Sequence, residues 1–116
     1  MIRGVGIDII DVVRFKAAMK RFEGRLEKRL FTEAELSYCA GLRHSERHLA
    51  TRFAAKVSVF KALGRTLPYK DVEVARDSNG RPVLNVKGVE KGFRFSLSLS
   101  HEKGFGLAET IVEIFE

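Results

Sequence analysis

The feature that most constrains the fold is a change in hydrophobic period between the two halves of the sequence. From residue 93 onward apolar and polar residues alternate, as in a strand with one buried face: Phe93, Phe95, Leu97 and Leu99 against Arg94, Ser96, Ser98 and Ser100. Between residues 12 and 63, apolar residues recur mainly every three or four positions, as in amphipathic helices. The chain is therefore predicted to be α+β, with its helices early and an antiparallel sheet late.

Residues 2–9 are predicted to form a buried first strand that ends at Asp8. This segment partly alternates and carries three β-branched residues, Val5, Ile7 and Ile9. Asp11 follows at a position suited to capping a helix. We therefore expect the first helix to begin directly after the strand, with its apolar stripe on Val12, Phe15, Met19 and Phe22, and to weaken or end at Gly24.

Two further helices are predicted before the period changes. Thr32 and Glu35 have capping-box spacing, which favours a short helix over 33–40. The longest helix is predicted over 46–63, with Gly64 as its left-handed end. Its buried face is expected to hold the apolar residues at helical spacing, Leu49, Phe53, Val57 and Phe60.

The second half is predicted to be a series of strands. Residues 70–76 and 82–86 flank Asn79-Gly80, a strong signal for a tight hairpin turn. The last strand is expected over 105–115. A length of 116 residues without a linker or repeat fits one domain, residues 1–116.

The net charge of +6, with a pI near 9.8, favours an anionic ligand or partner. The basic residues concentrate between residues 14 and 29, where only Glu23 and Glu27 oppose them: Arg14, Lys16, Lys20, Arg21, Arg25, Lys28 and Arg29. Such a cluster is either a solvated helix face or a docking surface. Nucleic acid, phosphorylated cofactors and acidic proteins all remain open at this point.

The remaining composition indicates an untargeted protein of a reducing compartment, and we expect a cytoplasmic location without membrane contact. Cys39 is the one cysteine, so no internal disulfide forms. No segment reaches the length of a membrane span. His44 and His48 have four-residue spacing, but no third ligand is apparent, so they are interpreted as surface residues.

Three stretches, spread over most of the sequence, carry a resemblance to a known family. They are GIDIIDVVRF at 6–15, RFAAKVSVFKALG at 52–64 and FSLSLSHEKGFGLA at 95–108, and NGRP at 79–82 agrees with the family's preceding turn. Together they resemble the small bacterial holo-[acyl-carrier-protein] synthases of the 4′-phosphopantetheinyl transferase family. The matching positions are Asp8, Arg14, Lys56, Lys61, Gly64 and His101.

The resemblance implies a magnesium-dependent transferase of the 4′-phosphopantetheinyl transferase fold. In that family a serine hydroxyl of an acidic acyl carrier protein attacks the β-phosphate of coenzyme A, which releases 3′,5′-ADP. It also implies a homotrimer with active sites in clefts between subunits. Coenzyme A and the carrier protein are the expected partners, and nucleic acid is not expected.

The resemblance also assigns the site residues. Asp8 is expected to bind the metal, and Asp8, Lys61 and His101 to form the catalytic group. The role of His101 stays open, because imidazole can bind phosphates or take the serine proton, and metal-bound water is an equal candidate base. Coenzyme A contacts are expected from Lys61, Gly64, Arg81, Pro82 and His101, and carrier-protein contacts from Arg14, Arg21 and Arg25.

One position departs from the family pattern. The residue after Lys56, where the family has a glutamate as second metal ligand, is Val57, interpreted as a core valine. We expect weaker metal binding, unless Glu46 or Glu102 substitutes. This departure makes a catalytically impaired family member one alternative function. A second alternative is a nucleic-acid or anion-binding module, for which the net charge is the only support.

Overall fold

The structure, a computed structural model, describes residues 1–115 as a three-stranded antiparallel sheet and a two-stranded hairpin packed on one long helix. This architecture confirms the predicted α+β class. The elements are β1 (Ile2–Asp11), α1 (Val12–Arg21), α2 (Arg25–Leu30), α3 (Glu33–Ala40), α4 (Ser45–Leu63), a 3₁₀ turn (Tyr69–Asp71), β2 (Val72–Arg76), β3 (Pro82–Val86), β4 (Phe93–Glu102) and β5 (Phe105–Ile114).

The larger sheet has the strand order β1-β5-β4, so the first strand of the chain pairs with the last. In this antiparallel register Asp8 lies opposite Ala108, and His101 on β4 lies opposite Gly106. The hairpin of β2 and β3 turns at the predicted position, with Gly80 at φ +79°. Both candidate residues, Asp8 and His101, therefore lie toward the same end of the larger sheet.

Helix α4 lies directly on β1 because two glycines leave room for it. A Cβ atom on Gly4 would overlap the carbonyl oxygen of Ala62, and one on Gly6 would overlap that of Ser58. Protein interiors are packed too densely to absorb such an overlap without a backbone shift. These glycines therefore fix how closely the helix approaches the strand that carries Asp8.

A buried ion pair connects α4 to α3 and β2. The Lys56 ammonium donates to the Glu35 carboxylate at 2.8 Å and to the carbonyl oxygens of Tyr69 and Val72 at 3.0 and 2.6 Å. The other Glu35 oxygen accepts from the Val74 N–H at 2.8 Å. Burial lowers the pKa of Lys56, and the Glu35 carboxylate acts in the opposite direction. Because nearly all donors and acceptors are satisfied, this pair fixes α4 relative to the hairpin.

The first strand exposes the face that was predicted to be buried. Val5, Ile7 and Ile9 are 55%, 51% and 63% exposed, whereas Gly6, on the alternate face, is buried against α4. The prediction was wrong because the positions of β1 that contact α4 most closely are Gly4 and Gly6, which give no hydrophobic signal. We call Val5, Ile7 and Ile9, with the partly buried Leu107 and Ile111 of the paired strand, the apolar sheet face.

The burial of α4 also differs from its predicted face. Leu49 and Phe60 are buried, but Phe53 and Val57 are only half-buried. The core-valine interpretation of Val57 is therefore wrong. The helix is covered on most sides, so its fully buried residues are largely small or polar: Ala50, Thr51, Arg52, Ala54, Ala55, Lys56, Ser58 and Val59.

Element boundaries otherwise lie close to the predictions. The capping box of Thr32 and Glu35 is present. Four details differ. The first strand continues to Asp11 instead of ending at Asp8, and residues 70 and 71 belong to the 3₁₀ turn instead of the strand predicted over 70–76. Residues after Gly24 form the separate helix α2, and α4 begins one residue early, with His44 at its N-cap in the left-handed region at φ 57°. None of the helices within residues 1–115 combines the length and apolar character needed to cross a membrane.

We predict that Gly6→Ala lowers the free energy of unfolding by roughly 1–3 kcal/mol or more, since α4 must move away from β1. Gly104→Ala is the matched control, because its added Cβ would meet no atom within 4 Å. Urea unfolding of both variants would measure the difference. Equal stability of the two variants would contradict the proposed role of Gly6.

Candidate active site

Asp8 lies in an open cleft between β1 and the adjoining helices, which we call the Asp8 cleft. Its volume is about 430 Å³. Residues of β1, α1 and α4 line it: Asp8, Ile9, Ile10, Asp11, Arg14, Phe15, Phe53 and Val57. Because the helix carries Val57 on the cleft side, the half-buried valine faces the same space as the Asp8 carboxylate.

The Lys61 ammonium lies beside this carboxylate. Its Nζ donates to Oδ1 of Asp8 at 3.2 Å and to the Ile7 carbonyl at 2.9 Å. The two side chains are 53% and 18% exposed, so water screens the pair. The structure therefore brings together the predicted metal ligand and the predicted phosphate-binding lysine.

The start of α1 forms the rim of the cleft. Asp11 caps this helix, its carboxylate accepting from the Arg14 N–H at 3.1 Å. Arg14 lines the cleft, whereas Arg25 lines a separate opening near the end of the basic segment. Arg21 lies with its guanidinium 5.7 Å from the Phe22 ring centre. The three predicted partner-binding arginines are thus spread from the Asp8 cleft to the first residue of α2.

An apolar groove continues from the Asp8 cleft between α1, α2 and α4. The two depressions share Phe15 and Phe53, whose ring centres are 5.5 Å apart. The groove has a volume of about 380 Å³ and is lined by Phe15, Ala18, Phe22, Leu26, Arg29, Leu30, Phe53 and Tyr69. A basic rim around an apolar floor suits an acidic, amphipathic partner.

His101 lies in a second group of residues, away from Lys61. Thr51 contacts it, with Oγ1 3.2 Å from Nδ1, and the same hydroxyl donates to the Arg47 carbonyl at 2.8 Å. Because that hydroxyl has a single proton, this network assigns the ring proton to Nδ1. Nε2 of neutral His101 is then the basic nitrogen, available to take a proton.

The surroundings of His101 are cationic, and we call this group the basic cluster: Arg47, His48, Arg52, Arg76 and His101. Arg52 is only 1% exposed and its guanidinium lies 4.9 Å from the Tyr38 ring centre. The rings of His48 and His101 are 5.8 Å apart. Burial, followed by Arg47, Arg52 and Arg76, lowers the pKa of His101. Burial and then Arg52 likewise lower the pKa of His48.

The positive charge of the basic cluster is not neutralised within the described chain. Across residues 1–115, Arg52 takes part in no ion pair, and its buried Nε has no hydrogen-bond partner. The buried Nδ1 of His48 also lacks a partner. Since buried charges are normally paired, this arrangement favours binding of an anion.

Comparison with known proteins agrees with this chemistry. Residues 4–112 match the family model of the 4′-phosphopantetheinyl transferase superfamily. The chain belongs to this superfamily.

Individual members of the superfamily match over nearly their whole length. The chain is similar to the holo-[acyl-carrier-protein] synthases of Geobacter sp. (strain M21), at 40% identity, and Clostridium tetani, at 38%; each alignment covers 97% of this chain and 99% or 97% of the relative. It also resembles the crystal structure of the Bacillus anthracis synthase in complex with CoA (3′,5′-ADP), with a TM-score of 0.86, 33% identity and 99% coverage of both chains. The crystal structure of the Neisseria meningitidis synthase is also similar, with a TM-score of 0.87 and 28% sequence identity; the match covers 97% of this chain and 99% of that one.

The other residues predicted from the superfamily pattern lie outside the Asp8 cleft. Gly64 ends α4 in the left-handed region at φ 75°. Arg81 and Pro82 follow the hairpin turn, where the Arg81 N–H donates to the Asp77 carboxylate at 2.9 Å. No described hydrogen bond or ion pair joins His101 to Asp8 or Lys61 within one chain.

The carboxylates do not form a complete metal cage. Within residues 1–115 there is no group of three potential metal-ligating side chains. Asp11 lies in the cleft but caps α1, and Glu46 pairs instead with Lys16 at 3.5 Å. Glu102 is exposed at the β4–β5 turn. The single carboxylate of Asp8 fits magnesium only when phosphate oxygens and waters complete its coordination.

The sequence interpretation missed most of the basic cluster. His48, treated as a surface residue, is half-buried beside His101, so that interpretation was wrong. The four-residue spacing of His48 and Arg52 on one helix was a signal for part of the cluster. Arg76 comes from β2, and no local pattern connects it with α4.

Proposed function

We propose that this chain transfers the 4′-phosphopantetheine group of coenzyme A to a serine of apo acyl carrier protein, releasing 3′,5′-ADP, in support of fatty acid biosynthesis. The observation that carries the proposal is the Asp8–Lys61 pair at an open cleft in a member of this superfamily. Full-length similarity to proteins named holo-[acyl-carrier-protein] synthase supports the same activity.

The reaction places specific demands on the cleft. The serine oxygen forms a bond to the β-phosphorus, the bond from that phosphorus to the oxygen of 3′,5′-ADP breaks, and the serine proton is removed. Lys61 supplies positive charge to the phosphate oxygens as the leaving group departs. His101 Nε2 is one candidate for accepting the proton, and the geometry within one chain assigns no general base.

Magnesium is the proposed metal. When bound, it would neutralise charge on the pyrophosphate and orient it. Asp8 is the residue that would hold it, together with phosphate oxygens and waters.

The basic cluster is the proposed site for a further phosphate of coenzyme A. Arg52 and His48 have buried nitrogens without partners, and the exposed Arg76 adds guanidinium donors at the surface. A phosphate bound there would accept from the exposed guanidinium, and its negative charge would compensate the unpaired charge of the buried Arg52. Gly64, Arg81 and Pro82 are proposed as further coenzyme A contacts, by their match to the family pattern.

A homotrimer is the proposed assembly, located in the cytoplasm. The apolar sheet face is exposed in the single chain, as expected of a surface covered by another subunit. A site between subunits would also explain why His101 makes no contact with Asp8 in its own chain. In a cyclic trimer, the basic cluster of one subunit then faces the Asp8 cleft of its neighbour.

The proposed docking surface for the acidic carrier protein consists of Arg14, Arg21, Arg25 and the adjoining apolar groove. Arg14 is at the Asp8 cleft, so a helix bound along α1 would present its serine near the bound coenzyme A. The arginines are exposed, and they speed and orient encounter more than they add affinity.

The first prediction concerns the activity itself. Incubation with apo acyl carrier protein, coenzyme A and magnesium should add the phosphopantetheine mass to the carrier protein, as measured by mass spectrometry, and chelator should reduce the addition. Coenzyme A binding should be competed by 3′,5′-ADP but not by oligonucleotides. No addition despite bound coenzyme A would indicate an impaired relative, and oligonucleotide competition would indicate the nucleic-acid-binding alternative.

The second prediction concerns docking. Raising ionic strength should increase the KM for carrier protein, because exposed charges are screened over about 10 Å at 0.1 M salt. Arg14→Gln should raise the KM at low salt and flatten its salt dependence. Arg94→Gln, an exposed change on β4, is the control. A KM that does not respond to salt would refute the docking surface.

The third prediction concerns the shared site. Asp8→Asn and His101→Ala should each abolish most activity alone. When the two variants are unfolded together and refolded as mixed trimers, about a quarter of the sites regain both residues by random assembly, and activity returns. Refolding each variant separately provides the control. Failure of the mixture to recover activity, with trimers present, would contradict a site between subunits.

A further inference from the structure

The carboxylate of Asp8 already has a cation as its partner. Lys61 uses two of its three ammonium donors, one on Asp8 and one on the Ile7 carbonyl. Besides Lys61, the side-chain carboxylate of Asp8 has no other hydrogen-bonding or charged partner within residues 1–115. A divalent ion approaching the free protein therefore meets a lone carboxylate that is already paired with an ammonium group.

The helix gives the metal no second carboxylate. Val57 lies one turn before Lys61 on α4 and lines the same cleft as Asp8. A glutamate at this position would direct two oxygens toward the space beside Asp8, whereas valine presents methyl groups. Asp11 supplies little in its place, because one of its oxygens is held by the Arg14 N–H at the start of α1.

We infer that the free protein has no divalent metal site of useful affinity, and that metal and coenzyme A bind interdependently. In this arrangement Lys61 acts as the counter-cation of Asp8 until a pyrophosphate enters the cleft. This inference rests on the proposed function, since it assumes that coenzyme A is the ligand.

The exposure of the pair makes this exchange feasible. Lys61 is 53% exposed and has a flexible side chain, so its interaction with Asp8 is weak and easily replaced. An arriving pyrophosphate offers the ammonium new acceptors and offers the metal the oxygens that Val57 does not. Lys61 can then turn toward phosphate while Asp8 is left to the metal.

Binding of the two ligands must be reciprocally coupled. If coenzyme A creates most of the coordination sphere, it raises metal affinity, and metal raises coenzyme A affinity by the same factor. Coupling between two sites usually changes the affinity for each ligand by about 5–150-fold, and we expect a change of at least about tenfold here. Val57→Glu should weaken this coupling, because it provides the missing oxygens before coenzyme A arrives.

The experiment measures binding rather than turnover, with Mn²⁺ as the spectroscopic substitute for magnesium. Free Mn²⁺ is followed by electron paramagnetic resonance during titration of the protein alone, coenzyme A alone and both together. The wild-type protein alone should bind little Mn²⁺. The mixture of protein and coenzyme A should bind clearly more Mn²⁺ than the sum of what the protein alone and coenzyme A alone bind. Val57→Glu should bind Mn²⁺ at least about tenfold more tightly without coenzyme A.

Two variants serve as controls. Val57→Gln has the shape of the glutamate without its charge and should not create a tight site. Lys61→Met releases Asp8 and should raise Mn²⁺ affinity of the free protein; it also tests the inference if Val57→Glu fails to fold. Mn²⁺ binding to the free wild-type protein as tight as in the presence of coenzyme A would overturn the inference.

Coenzyme A affinity, measured calorimetrically with Mn²⁺ and with chelator, separates this inference from the proposed function. Coenzyme A binding that is at least about tenfold tighter with Mn²⁺ supports both. Equal coenzyme A affinity in the two conditions overturns the coupling and leaves the proposed function standing. No coenzyme A binding in either condition overturns both.

Discussion

The close contact between α4 and β1 is the constraint on which the candidate site depends. Gly4 and Gly6 allow the helix to lie against the strand, and Lys61 of the helix thereby reaches the carboxylate of Asp8 on the strand. A larger residue at either glycine would move the helix as a rigid body, because its peptide groups are already hydrogen-bonded. The charges of the cleft are therefore positioned by two residues that have no functional groups of their own.

The buried pair of Lys56 and Glu35 complements this contact on the other side of α4. Its partners come from α3, the 3₁₀ turn and β2, so it connects the helix to the hairpin that carries Arg76. Loss of either charge would leave the other buried without a partner, at a cost of about 3–5 kcal/mol. Close packing on the glycines of β1 thus fixes α4 on the side of the Asp8 cleft. The buried ion pair fixes the same helix relative to the hairpin, on the side of the basic cluster.

Local patterns predicted most elements, since caps and turns such as Thr32 with Glu35 and Asn79-Gly80 act over a few residues. The orientation of β1 could not be predicted because glycines, not large apolar residues, occupy the two positions that lie against α4. The resemblance singled out Asp8 and Lys61, and the structure brings these together although they lie 53 positions apart. The basic cluster required tertiary contacts between α4, β2 and β4, which no single segment encodes.

The pairing of β1 with β5 joins residues 2–11 to residues 105–114. Contacts so distant in sequence slow folding, because the chain loses the entropy of closing a long loop before the strand pairing can stabilise it. During synthesis on the ribosome, the first strand has no strand partner until residues 105–114 have been translated. Its exposed Val5, Ile7 and Ile9 are then an aggregation hazard, so yield in the cell should depend on how quickly the last strand docks and how well chaperones protect the first.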